Sequence, residues 1–343
     1  MKYKLLGRSG LKVSQLCLGC MGFGEEWGYG GNKEDSFKVY QKFIDGGGNF
    51  IDTANRYTEG TSEKYISEFI AGMRNEVVLA TKYSLYSKKG SINECGNSRK
   101  NLIASLEGSL KRLNTDYVDV LYLHAWDFMT PIDEVLRSLD DLVRAGKILY
   151  AAISDTPAWI ISRANTMADF QGWSPFVAVQ LEYSLITRDA ERDLIPMTKA
   201  LDLAITSWGP LAGGALTGKY LKDDGTPKRL KEGSKRLNEK SVAIAKEVVR
   251  IAKEIGCTAS QVALAWQYHK SPNIIPIVGA HKETQIADCL GSIDIKLSNE
   301  QYNALEEVSK IELGFPHDFL TGDVAKNVLF GGTFDSIENH RKL

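Results

Sequence analysis

Short apolar runs alternate along this chain with stretches in which apolar positions recur every three or four residues. The first pattern reads as strand buried on both faces, the second as amphipathic helix packed outside it. Eight strands are predicted, at 15–19, 50–52, 77–82, 118–124, 149–154, 178–182, 203–208 and 274–278. Helical spacing falls between them at 33–45, 61–71, 100–113, 131–145, 158–166, 191–201 and 240–254. Such alternation predicts a parallel sheet with helices outside, and eight repeats of it predict a (β/α)8 TIM barrel, an α/β fold. Residues 1–14 read as a short hairpin with a Ser-Gly turn, and 310–343 as a C-terminal tail carrying Phe315, Phe319, Phe330 and Phe334, expected over the catalytic face. No composition shift divides the chain, so 1–343 is read as one domain. The polar segment 223–239 (DDGTPKRLKEGSKRLNE) reads as a long mobile loop after the seventh strand.

Glycines at 46, 146 and 256 close predicted helices where a left-handed cap belongs, so the Gly46–Gly48 triplet is a helix stop rather than a phosphate loop. The 343 residues include 42 basic and 43 acidic side chains, a formal charge of −1, which offers no electrostatic footprint for nucleic acid. No apolar run long enough to cross a bilayer and no leader-like start is read, so the expectation is a soluble cytoplasmic protein without membrane contact. Five scattered cysteines suit reduced thiols. Cys17 and Cys20 form a CxxC, but on a strand these positions face opposite sides and no second pair completes a metal site, so no metal is expected.

Chemistry gathers at strand ends. Phe50–Tyr57 reads FIDTANRY and closes the second strand on Asp52, the third ends in Lys82 and the fourth in His124. Ends of parallel barrel strands meet at one face, so these groups can converge although about seventy positions separate the outermost two. A buried Asp needs a cation, and Lys82 supplies one. An ammonium beside Tyr57 is expected to lower the phenol pKa and fit it for proton transfer to a developing alkoxide, with His124 fixing a carbonyl oxygen.

Together with LGRSGLKVS, LATKY, LHAWD, AAISDTP, VQLEYSL, PLAGGALTGKY and PIVGAHKETQ, that stretch resembles the aldo-keto reductases across nearly the whole chain, with most similarity to the bacterial and potassium-channel β-subunit branch. The resemblance implies a tetrad of Tyr57 (general acid), Lys82, Asp52 and His124, and an extended NADP(H) across the barrel mouth. It implies that Ser154, Asp155 and Gln180 hold the carboxamide and that Trp208 stacks on the nicotinamide, near Cys20, Met21 and Asp52. Gly209, Pro210, Leu211, Ala212, Gly213 and Lys219 would wrap the pyrophosphate, and Gly279, His281, Lys282, Gln285, Asp288 and Cys289 the adenosine end. His281 stands where relatives commonly carry Arg, and Cys289 where they carry Asn. NADPH is expected ahead of NADH, with Lys282 as the cation for the 2′-phosphate.

Trp27, Tyr29 and Trp126, with Phe128, are read as an aromatic rim suited to apolar or aromatic aldehydes or ketones. Two other classes stay open: a nicotinamide-binding regulatory subunit with slow turnover, and a Schiff-base aldolase using Lys82. Oligomeric state is not set by the sequence.

Overall fold

A computed structural model of the chain describes residues 1–221, 230, 231 and 233–340. Strands β1 (Tyr3–Leu5) and β2 (Lys12–Ser14) pair antiparallel as the expected hairpin. Eight further strands close a parallel barrel: β3 (Cys17–Gly19), β4 (Phe50–Asp52), β5 (Val78–Tyr83), β6 (Val118–Leu123), β7 (Ile148–Ser154), β8 (Phe176–Glu182), β9 (Ala204–Trp208) and β10 (Ile274–Val278), which pairs back onto β3. Each matches one predicted strand to within two residues. The segment 223–239 lies in part, at 223–229 and 232, outside the described residues.

Two apolar clusters organise the core. Alternate strand positions point inward, where Cys17, Phe50, Val78, Ala80, Val120, Tyr122, Ala152, Ala178, Ala204 and Ile275 fill the barrel; the other parity packs outward against the helices. Leu6 and Val13 of the hairpin join the inner cluster and plug the N-terminal end of the barrel. The hairpin sits so tightly that a Cβ on Gly7 would meet the Val177 carbonyl at 2.2 Å, and its φ of 55° further selects glycine. Cys17 belongs to the inner cluster and Cys20 to the outer one, as opposite strand faces require.

The helices are α1 (Lys33–Asp45), α2 (Thr61–Phe69), α3 (Arg99–Leu113), α4 (Ile132–Arg144), α5 (Ala158–Gln171), α6 (Leu194–Ala200), α7 (Glu239–Ile255), α8 (Ala259–Lys270), α9 (Glu283–Gly291) and α10 (Asn299–Ser309), then in the tail α11 (His317–Thr321) and α12 (Asp323–Phe330). Periodicity misses α8 because Val262, Ala263, Leu264, Ala265 and Trp266 are all buried, leaving no polar face to mark a period. Its start is nonetheless written in the sequence: Thr258 and Gln261 form a capping box, as Ser298 and Gln301 do for α10. Gly146 and Gly256 take the expected left-handed conformation. After α1 that conformation falls on Gly47 (φ 80°), while Gly46 stays at φ −75°.

The tail begins beside the segments that follow β8 and β9. Its first residues are tied down by the Lys240 ammonium on the Lys310 carbonyl and by Arg192 on the Glu312 carbonyl. Beyond them α11 and α12 pack chiefly on each other, and Phe315 and Phe319 stay exposed. Among the described residues no helix is long and apolar enough to cross a membrane, and no group of three His, Cys, Asp or Glu side chains is placed to hold a metal.

Candidate active site

On six of the eight barrel strands the inward parity ends at the mouth in a polar or aromatic side chain. Following Phe50 inward leads to Asp52; Val78 and Ala80 lead to Lys82; Val120 and Tyr122 lead to His124; Ala152 leads to Ser154, Ala178 to Gln180 and Ala204 to Trp208. Parallel register places these ends side by side: Asp52 lies beside Gly19 and Ala80, Ser154 beside Gln180, and Glu182 beside Trp208. Tyr57 opens a 3-10 turn (Tyr57–Gly60) just past β4 and turns its hydroxyl back over them.

The Lys82 ammonium is the hub. Its Nζ lies 2.6 Å from Asp52 Oδ2, and it donates to the Thr53 carbonyl at 3.0 Å and to Tyr57 Oη at 3.0 Å. Gln180 Nε2 donates to the other Asp52 oxygen at 2.9 Å. Lys82 and Asp52 are both buried, and each carries the partners that make a buried ion pair tolerable. The His124 ring sits edge-on to Tyr57 with centroids 5.8 Å apart, and its Nδ1 is buried without a protein partner.

Electrostatics corrects one expectation. Burial pushes the Tyr57 phenol up to about 12, and the opposing pull of the Lys82 charge is too weak to reverse this, since Asp52 offsets it. Tyr57 therefore stays protonated at neutral pH, which suits a proton donor. Burial works against the Lys82 ammonium, but Asp52 and Tyr57 outweigh it and hold its pKa above the ordinary lysine value. His124 is driven down to about 3, first by burial and then by the Lys82 charge, so its imidazole is neutral. Asp155 is raised by burial, with the Trp208 indole N–H, 3.2 Å from Oδ1, pulling the other way.

Around this hub the predicted cofactor residues divide. Ser154, Gln180 and Trp208 stand at the mouth with the tetrad, although the Gln180 amide nitrogen is already engaged by Asp52. Asp155, with a φ of 40°, bonds to Trp208. Gly209–Gly213 form the turn after β9, and Gly213 and Gly214 both have positive φ. Lys219 folds over that turn, so that a Cβ on Gly214 would lie 3.0 Å from its Nζ. Bare backbone under an ammonium is the arrangement a pyrophosphate needs, and the residues present fit the dinucleotide there. Lys282 is exposed at the N-terminus of α9. The His281 ring leans over Gly22, where a Cβ would meet Cε1 at 2.7 Å, and its backbone N–H donates to Gln285 Oε1 at 2.9 Å. Gly279 lies beside the end of β3, next to the Gly19 carbonyl.

Three of the expected cofactor residues are engaged within the protein. Cys20 is fully buried in the outer cluster, so its thiol is not open at the mouth, while the half-buried Met21 comes next in the chain. The Asp288 carboxylate accepts from Thr258 Oγ1 at 2.8 Å, tying α9 to α8. Cys289 packs into the outer core, and burial raises its thiol to about 12.

At the rim, Trp27 meets Tyr57 edge-on at 6.3 Å and Tyr29 at 6.1 Å, and its indole N–H donates to Glu59 Oε1 at 3.1 Å. Trp126 is half-buried with its backbone N–H on the Asp155 carbonyl, whereas Phe128 is exposed. Arg56 lies inside the very stretch that points to the site, yet no strand pattern singles it out. Its guanidinium sits 4.3 Å from the Tyr86 ring centre and 5.5 Å from that of Trp27, and it pairs with Glu59. Arg236 reaches the mouth from beyond β9, pairing with Glu182 at 2.5 Å above Trp208.

Comparison with known proteins identifies the family. A model of the Aldo/keto reductase family matches residues 15–310. Similar proteins include an aryl-alcohol dehydrogenase [NADP(+)] of Phanerodontia chrysosporium, 40% identical over 92% of this chain and 87% of its own length. A norsolorinic acid reductase of Emericella nidulans is 37% identical over 91% of this chain and 82% of its own. An aryl-alcohol dehydrogenase of Pestalotiopsis microspora is 38% identical over 93% and 85%. The chain belongs to the aldo/keto reductase family and is an NAD(P)H-dependent oxidoreductase of carbonyl and alcohol groups.

Proposed function

We propose that this protein reduces aromatic aldehydes or ketones reversibly to alcohols with NADP(H), using Tyr57 as the general acid. The observation that carries the reading is the Lys82 ammonium, held between Asp52 Oδ2 at 2.6 Å and Tyr57 Oη at 3.0 Å. NADPH, when bound, supplies the hydride. The chain's own residues do the rest. Tyr57 keeps its proton at neutral pH and presents it at Oη to the oxygen that becomes the alkoxide. Lys82 stabilises the phenolate left behind, and Asp52, itself held by Gln180, fixes that ammonium in place. A neutral His124 donates a hydrogen bond to the same oxygen without bringing a second charge beside Lys82.

Trp27, Tyr29 and Trp126 form the substrate wall in this reading. A flat apolar ring edge-on to Tyr57 favours an aryl carbonyl, and the names of the aryl-alcohol dehydrogenase relatives point the same way. Lys219 and the Gly213–Gly214 turn hold the pyrophosphate, Trp208 stacks on the nicotinamide, and Lys282 favours NADPH over NADH. Cytoplasmic residence belongs to the same proposal.

The test is fluorescence titration with NADPH and NADH, then addition of aryl and short aliphatic aldehydes in the same cuvette. Many turnovers of aryl aldehyde with NADPH are expected. Oxidation of a single equivalent of cofactor would instead favour the slow regulatory-subunit reading. Covalent labelling of Lys82 by borohydride in the presence of an aldehyde would favour the Schiff-base reading.

A further inference from the structure

The family match ends at residue 310, and the tail beyond it presents an apolar surface without a cover. Nine large apolar side chains between Phe315 and Ile337 are exposed, among them Phe319 at 59%, Val324 at 78% and Val328 at 78%. Val324 and Val328 lie four residues apart on one face of α12, and Phe319 and Leu320 are exposed on α11 beside it. Taking about 200 Å² for a Phe side chain and somewhat less for the aliphatic ones, the exposed apolar area is about 900 Å². Summed over the nine side chains, that is the scale of the roughly 800 Å² that each partner gives to a stable dimer.

A second uncovered face lies on α5. Trp159, Arg163, Thr166 and Phe170 recur at spacings of four, three and four residues along one side of the helix, with Trp159 exposed at 63% and Phe170 at 86%. The two surfaces differ in charge. Between Lys310 and Glu338 the tail carries five carboxylates against two lysines. The α5 face centres on Arg163, because its one carboxylate, Asp169, is already paired with Arg8 at 3.1 Å. Two tails meeting face to face would bring like charges together, whereas a tail on α5 brings opposite charges and buries both apolar faces.

We infer that α11 and α12 dock on the α5 face of a second copy of this chain, and that the partner's tail docks reciprocally. Such an exchange closes under two-fold symmetry with two identical contacts, so it yields a dimer and not a filament. Indole and phenyl groups at the centre of each contact supply the anchors that interfaces favour.

Sedimentation equilibrium of the full chain from about 1 to about 100 µM tests this, a range that brackets ordinary dimer affinities. A dimer is expected. Trp159→Ala and Val328→Asp should each raise its dissociation constant at least about tenfold, as loss of an anchor or insertion of a charge does. Neither should move carbonyl turnover by more than about twofold, since surface changes remote from a site leave it nearly untouched. Mixing the two variants should recover dimer, because one intact tail then faces one intact α5. Dimerisation lost with Val328→Asp but untouched by Trp159→Ala would mean tail on tail and overturn the assignment. A monomer across the whole range, or a dimer indifferent to both changes, would overturn it outright.

Discussion

Replacing His124 by Gln should remove most of the acid sensitivity that this one side chain confers on the fold. The folded imidazole titrates at about 3, because burial and the neighbouring Lys82 charge oppose its protonation. In the unfolded chain it returns to about 6.5. A group depressed in this way takes up protons preferentially when unfolded, so stability is full above about pH 6.5 and falls as the pH drops towards about 3. Between about pH 7 and about pH 5 the unfolded state gains about 2 kcal/mol from protonating this residue, while the folded state gains almost nothing. Urea unfolding of wild type and His124→Gln at both pH values isolates the term, since other titrating groups contribute equally to the two proteins and cancel. The wild type should lose about 2 kcal/mol more than the variant over this interval. Equal losses would show that His124 titrates normally when folded. The argument that it acts as a neutral donor beside a charged lysine would then fail.

Other perturbations separate the remaining roles. Tyr57→Phe should lower carbonyl reduction by about 10²–10⁴-fold with NADPH affinity unchanged in a fluorescence titration, because only the proton donor is lost. Retention of most activity would refute the assignment. Lys82→Met should cost about 3–5 kcal/mol of unfolding free energy as well as activity, since it strands the buried Asp52 carboxylate. Adding Asp52→Asn should restore much of the stability and none of the turnover, readable from paired melts and rates. Lys282→Ala should weaken NADPH binding several-fold and leave NADH binding nearly unchanged, as loss of one point charge opposite a phosphate does. Equal effects on both cofactors would place the 2′-phosphate elsewhere.

The residues legible in advance were those whose role is dictated by strand parity. Once a run such as Val78–Tyr83 is read as a barrel strand, the face that Lys82 shares with Val78 and Ala80 is fixed, and with it the end at which the ammonium emerges. The same holds for Asp52 and His124, so the barrel, the hairpin and these strand-end groups were written in local pattern, whereas Gln180 came only from the family resemblance. Arg56 was equally visible as a letter, but its place between the Tyr86 and Trp27 rings depends on two loops that meet only in the folded chain.

Balance and occlusion had no local signature. Whether Lys82 would lower the Tyr57 pKa depended on how much water the closed barrel excludes and on Asp52 cancelling the charge, and burial proved stronger. Cys20, Asp288 and Cys289 sit at suggestive positions in the chain, yet the two thiols pack into the outer core and the Asp288 carboxylate accepts from Thr258. The Phe-rich tail looked like a cover because exposed aromatic residues usually need one. Sequence alone determined that its surface is apolar, through side-chain chemistry that does not depend on context. Only the tertiary structure decided that the barrel leaves that surface uncovered, because burial is a property of what lies across from a residue and not of the residue itself.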